Sequence, residues 1–99
     1  MIVRLKSKYL PDALYELVWS QYRNGSTALS LRGLRNPAIA MTPSVNIVGV
    51  VTDKSHVLIK NWSENQGILE SLIEAKVISE PLMQIPTGFV RADLCKVLL

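Results

Sequence analysis

Ninety-nine residues, 48% of them apolar and with a mean hydropathy of +0.22, describe one folded domain spanning residues 1–99 and exclude a disordered chain. A single cysteine, Cys95, excludes an internal disulfide, and no run approaches the roughly 18 apolar residues of a membrane span. The net charge of +3 is uneven: residues 1–35 carry six basic and two acidic side chains, a net of +4, which suits an anionic partner or simply a solvated surface.

Arg4, Lys6 and Lys8 alternate at the N-terminus, so on a strand they would line one face. No apolar run follows them as it would in a signal peptide, and the expected compartment is a reducing cytoplasm. Asn24-Gly25 is the strongest local signal, because a two-residue type I′ turn needs φ > 0 at both positions. With these as the central residues, Tyr22 pairs with Thr27, Ser20 with Leu29 and Val18 with Leu31. Leu14, Val18, Leu29 and Leu31 then share one face, and Tyr15, Leu17 and Trp19 share the other. A one-residue slip would exchange the faces. A helix competes for residues 11–24, with Pro11 at its first position and Gly25 past its end. Tyr15, Val18, Trp19 and Tyr22 favour the strand.

Ala38–Met41 and Val45–Val51 read as further strands interrupted by Pro43, which marks an edge, a bulge or a strand end. Thr52-Asp53-Lys54-Ser55 is turn-forming and precedes a short strand, 56–60. One principal helix is expected over about 63–76. Ser63-Glu64-Asn65-Gln66 has the form of a capping box, Asn61 is a second candidate cap, and Ile68, Leu69, Leu72 and Ile73 make its apolar stripe. Ser79-Glu80-Pro81 breaks the chain, a turn falls at Pro86-Thr87-Gly88, and 89–98 is a last strand with Val90, Ala92, Leu94 and Leu98 inward. The fold class is α+β: a mainly antiparallel sheet, built from the N-terminal hairpin and further strands, with one helix packed on it.

The residues offer little catalytic chemistry. His56 is the only histidine, no metal-ligand spacing or nucleophile elbow is present, and the five glycines are scattered rather than gathered into a phosphate loop. Neither an enzyme nor a cofactor is expected, and Asp53-Lys54-Ser55-His56 reads as a polar turn entering a strand. Cys95, in an apolar stretch, reads as a buried hydrophobe. Two surfaces stand out. Arg4, Lys6, Lys8, Arg32 and Arg35 form a candidate anion or nucleic-acid patch, with Trp19, Trp62 and the tyrosines available for stacking. Lys60 to Gly67 sets a tryptophan at the mouth of a polar helix start. There Trp62 is either a lid on the core, with Asn61, Ser63 and Asn65 as caps, or the anchor of a recognition loop. In the second reading Lys60, Asn61, Glu64 and Asn65 are polar selectors for a protein partner.

The text Val57-Leu58-Ile59-Lys60-Asn61-Trp62-Ser63-Glu64-Asn65-Gln66-Gly67-Ile68-Leu69-Glu70 resembles a motif of small uncharacterised bacterial proteins carried on plasmids, prophages and other mobile elements. Tyr22-Arg23-Asn24-Gly25 and Gly88-Phe89-Val90 resemble the same group, so the likeness runs through most of the chain after about Tyr15. Lys76 departs from it, standing where that pattern has glycine. If the helix ends there, either Lys76 adopts φ > 0 or the helix must end in a different way. The resemblance implies no activity. It implies a non-enzymatic accessory protein of mobile-element origin that works by binding another protein, an inhibitor of a host defence complex being one form. The alternative is a small nucleic-acid-binding module using the basic N-terminal third. Exposed strand edges fit a homodimer in either case.

Overall fold

The computed structural model describes the whole chain, Met1–Leu99, and its fold is α+β. Strands β1 (Ile2–Leu5), β2 (Ala13–Gln21), β3 (Thr27–Gly33) and β4 (Ala40–Met41) form an antiparallel sheet in chain order. A second antiparallel sheet holds β5 (His56–Ile59), β6 (Met83–Thr87) and β7 (Val90–Lys96), with β7 in the middle. Helix α1 (Ile68–Glu74) closes the core. Leu5, Tyr15, Leu17, Leu29 and Leu31 of the first sheet meet Val57, Ile59 and Cys95 of the second over Ile68, Leu69 and Leu72. No helix is long and apolar enough to cross a membrane.

Residues 13–21 are strand rather than helix, but the hairpin register differs from the expected one. The connection has three residues, Arg23-Asn24-Gly25. Gly25 N–H donates to the Tyr22 carbonyl at 2.9 Å, and Tyr22 N–H donates to the Ser26 carbonyl at 2.8 Å. Of the three loop residues only Gly25 has positive φ (+89°), whereas Asn24 stays at negative φ and its Oδ1 accepts from Ser26 N–H at 3.1 Å. This is a type I turn closed by a left-handed glycine, whose extra residue moves the pairing by one. Trp19 therefore faces Leu29, and Leu17 faces Leu31. Tyr15 and Leu17 are buried, with Trp19 packed beside them, whereas Leu14 and Val18 stand on the outer face. Gly25→Val should lower stability by about 1–3 kcal/mol, measured by denaturant midpoint. A Cβ there would meet nothing within 4 Å, so the whole cost lies in the backbone.

Only two residues of the expected middle strands are strand. After β4, Pro43 ends the pairing, Ser44 bridges Ile59, and the chain from Val45 leaves the sheet. Hydroxyl groups satisfy its backbone instead: Ser26 Oγ donates to the Val50 carbonyl and accepts from Thr52 N–H, while Thr27 Oγ1 donates to the Asp53 carbonyl. Val48, at the tip, is fully exposed.

The expected helix over 63–76 is split. Ser63–Asn65 is a single 3₁₀ turn, Gly67 at φ +91° redirects the chain, and α1 follows. Ser63 itself sits at φ +53°, outside the extended conformation an N-cap requires, and makes no capping bond. Asn61 caps instead: its Oδ1 accepts from Gly67 N–H at 3.1 Å and Leu69 N–H at 2.9 Å.

At the other end Lys76 takes φ +61°. Its N–H donates to the Ile73 carbonyl and Val77 N–H to the Leu72 carbonyl, the paired bonds of a Schellman motif, with buried Val77 and Leu72 as its apolar contact. Lysine occupies a position that glycine enters without steric cost, so Lys76→Gly should stabilise the protein by about 0.5–1 kcal/mol despite glycine's unfolded-state entropy. A raised thermal midpoint checks it.

Strand β6 pairs with β7 through a two-residue turn, Gly88-Phe89, after a segment in which no strand was expected. In β7 the residue facing the core is Cys95, aligned with Val57. On the opposite face Ala92 is fully buried, as expected, whereas Val90 and Leu94 are half-buried and Leu98 is exposed, so the expected inward set holds only in part. Burial, with Asp93 and Glu80 adding to it, pushes the Cys95 thiol up to about 12. A thiol reagent at about pH 8 should label Cys95 only at the rate of unfolding, because it needs the thiolate.

Candidate functional site

An open groove of about 660 Å³ lies between β4 and the 3₁₀ turn. Register builds its floor. Gly33 N–H donates to the Ile39 carbonyl at 2.8 Å, which puts Leu31 and Met41 on hydrogen-bonded positions of the ladder. Alternation then turns the N–H and C=O of Ala40 away from β3. Ile39, Met41 and Val45 add apolar surface, and Tyr9 and Tyr22 stand in the walls.

The Tyr22 wall is fixed by a hydroxyl network. Buried Ser44 Oγ accepts from Leu29 N–H at 2.9 Å, donates to the Leu29 carbonyl at 3.3 Å, and lies 2.9 Å from Tyr22 Oη. Either hydroxyl can donate in this pair, and in both arrangements the Tyr22 oxygen keeps a lone pair able to accept.

The opposite wall carries Lys60, Glu64 and Asn65. Asn65 is buried and its Nδ2 donates to the Thr42 carbonyl at 2.8 Å, which ties the 3₁₀ turn to the end of β4. Lys60 Nζ donates to Glu64 Oε1 at 2.8 Å and lies 5.9 Å from the centre of the Trp62 ring. The lysine's hydrogen bond holds the Glu64 carboxyl below its usual range. Of the five candidate partner-binding residues, the structure thus gathers Lys60, Glu64 and Asn65 on the groove. Asn61 is spent on the helix cap, and half-buried Trp62 lies beside Lys60 without lining the groove. Tyr9, Tyr22 and Met41 were not among the expected partner-binding residues, the tyrosines being expected only as stacking surfaces for a nucleic acid. They come from three separate segments, and no local pattern links them.

The basic residues do not form one row. Only Arg4 lies in β1; the strand ends at Leu5, so Lys6 and Lys8 fall in the following connection rather than on a shared strand face. Arg4 pairs with Asp12 at 3.0 Å and Arg32 with Glu16 at 2.9 Å, so two of the five basic side chains already have an acidic partner. Lys8 Nζ lies 5.4 Å from the Tyr9 ring centre. Arg35 shares a small depression with Arg4 and Asp12.

The polar turn before β5 is an ordered cluster. Asp53 Oδ1 accepts from Ser55 N–H (2.9 Å), Ser55 Oγ (2.7 Å) and His56 Nδ1 (2.9 Å). These bonds, that of the Ser55 hydroxyl foremost, bring the exposed Asp53 carboxyl down to about 2. Serine and aspartate both meet Nδ1, so the ring does not stand between them as a proton relay would require.

Comparison with protein families, with curated proteins and with solved structures finds no match for this chain.

Proposed function

We propose that this chain is a non-enzymatic protein-binding module whose groove beside β4 receives an extended segment of a partner protein. One observation carries the reading: the unpaired N–H and C=O of Ala40 lie in a groove walled by Tyr9, Tyr22 and the Lys60–Glu64 pair. An extended peptide satisfies such an edge with main-chain hydrogen bonds and finds side-chain specificity in the flanking pockets. Tyrosines supply large contact area at low entropic cost, and the Tyr22 oxygen accepts from a peptide N–H. Lys60 and Glu64, already paired, select against unbalanced charge in the incoming segment. The role suits an accessory factor acting on a host assembly.

The test is selection from a library of random peptides, followed by amide chemical-shift mapping of the enriched sequences. Perturbation at Ala40, Tyr22 and Lys60, lost on Ala40→Pro, is the expected result. Proline removes the outward N–H without touching the β3 ladder. Peptides that map elsewhere, or that bind Ala40→Pro unchanged, would overturn the reading. Salt-sensitive retardation of single- or double-stranded oligonucleotides, abolished by reversing Arg32 and Arg35 together, would instead favour a nucleic-acid module.

A further inference from the structure

Two sheets present four edges, and three of them are short or interrupted. The outer edge of β5 is interrupted: Val45 N–H donates to the Leu58 carbonyl, and Lys60 N–H, just past the strand, donates to the Pro43 carbonyl. On β6 the alternation turns residue 86 outward, and Pro86 has no N–H to offer. Strand β4 is two residues long and exposes the groups of Ala40 alone.

Strand β1 is different. Leu17 N–H donates to the Met1 carbonyl at 2.8 Å, so the odd residues of β1 face β2 and the even ones face out. Ile2 and Arg4 therefore present consecutive free N–H and C=O groups, with no proline, bulge or covering element. The open stretch ends at Lys6, whose N–H donates to Ser71 Oγ at 3.1 Å. The residues beside it are apolar and exposed: Met1 at 65%, Ile2 at 52% and Leu14 at 39%.

We propose that β1 pairs antiparallel with β1 of a second copy, joining the two four-stranded sheets across a two-fold axis at Val3. Register follows from the free groups. Ile2 opposite Arg4 of the copy satisfies every outward group at once. Ile2 opposite Ile2 would leave those of Arg4 unused, and Arg4 opposite Arg4 would set like charges face to face and require the Lys6 N–H already held by Ser71. Side chains fit the same register. On the core side Val3 meets Val3, and Met1 of the copy meets Leu5 beside an open depression of about 380 Å³ lined by Leu5, Ser71, Glu74 and Ala75 among others. On the outer face Arg4 of the copy lies over Ile2 in the row that continues to Glu16.

A four-residue pairing is a small interface, of the class below about 1,200 Å² that dissociates on dilution. Sedimentation of the untagged protein from about 10 µM to about 1 mM should show the mean mass rising from one chain towards two. Ile2→Pro removes an outward N–H at the first position of an edge strand, and should keep the wild-type thermal midpoint while remaining monomeric throughout. Single cysteines read the register. At position 3 the two Cα atoms would lie about 4.5 Å apart, within disulfide range, whereas at positions 2 or 4 the equivalent atoms are diagonal and about 7–8 Å apart. Val3→Cys should oxidise to a covalent dimer, and Ile2→Cys and Arg4→Cys should not; buried Cys95 takes no part. A mass that stays at one chain, a dimeric Ile2→Pro, or equal cross-linking at all three positions would overturn the proposal.

Discussion

Leu17→Asp is expected to unfold the protein or lower its denaturation midpoint drastically, whereas Val18→Asp, one residue away, should shift it only slightly. Leu17 is 5% exposed and Val18 40%. Leu17 lies opposite Leu31 within the cluster that joins both sheets and α1, so an aspartate there loses a buried leucine's transfer energy and leaves a carboxyl with no hydrogen-bond partner. Together these amount to about 4 kcal/mol or more, against a total stability of about 5–15 kcal/mol for a domain of this kind. Val18 faces outward opposite Ser30, where an aspartate costs about 1 kcal/mol or less in strand preference. A two-residue turn at Asn24-Gly25 would produce the reverse result, so the pair of midpoints decides the register as well as the burial.

That register shows how much of the fold was legible in the sequence. The hairpin was visible because Asn24-Gly25 demands a turn and because aromatic and β-branched residues flank it. Its register was not, since a type I turn with a left-handed glycine uses the same two residues and differs in adding one loop residue and keeping Asn24 at negative φ. Apolar residues on both faces of β2, Leu14 and Val18 outward and Tyr15 and Leu17 inward, removed the alternation that would have chosen between them. In β7 both faces hold buried residues, so alternation found Ala92 on one face while the apolar surroundings of Cys95 marked its burial on the other. Residues 45–51 carry strand-like composition but leave the sheet, and the chain is held at Val50, Thr52 and Asp53 by the hydroxyls of Ser26 and Thr27, tertiary bonds that no local pattern announces. The exit of α1 was legible in a sharper form. A helix ending at Lys76 left two possibilities, a lysine at positive φ or a different kind of helix end, and the chain takes the first.

The candidate groove was half legible. Lys60, Glu64 and Asn65 stood out because polar residues crowd around a tryptophan at a helix start. The facing wall needed the three-dimensional arrangement: Tyr9 sits in the β1–β2 connection, Tyr22 at the hairpin end, and Met41 on a strand too short to show a period. Trp62, the most conspicuous side chain in the sequence, packs beside Lys60 and leaves the groove to the tyrosines.

Asn61→Ala should cost about 2 kcal/mol, while Ser63→Ala leaves the midpoint unchanged. The α1 N-terminus begins at a glycine, which has no side chain to satisfy the first N–H groups of the helix. Asn61 reaches across the 3₁₀ turn to accept from two of them, Gly67 and Leu69, and both bonds are partly buried. Truncation leaves two donors without a partner in a region that water enters poorly, at about 1–3 kcal/mol for such a group and about 1 kcal/mol for an ordinary cap. The Ser63 hydroxyl makes no capping bond, so its loss removes nothing from the helix. Asn61→Asp separates the acceptor from the rest of the amide. It keeps the oxygen and adds negative charge at the positive end of α1, so at neutral pH it should hold the wild-type midpoint or exceed it by a few tenths of a kcal/mol. Chemical denaturation of the three variants tests the assignment. Equal losses from Asn61→Ala and Asn61→Asp would mean that the amide acts through its nitrogen, and a loss from Ser63→Ala would return the cap to the serine.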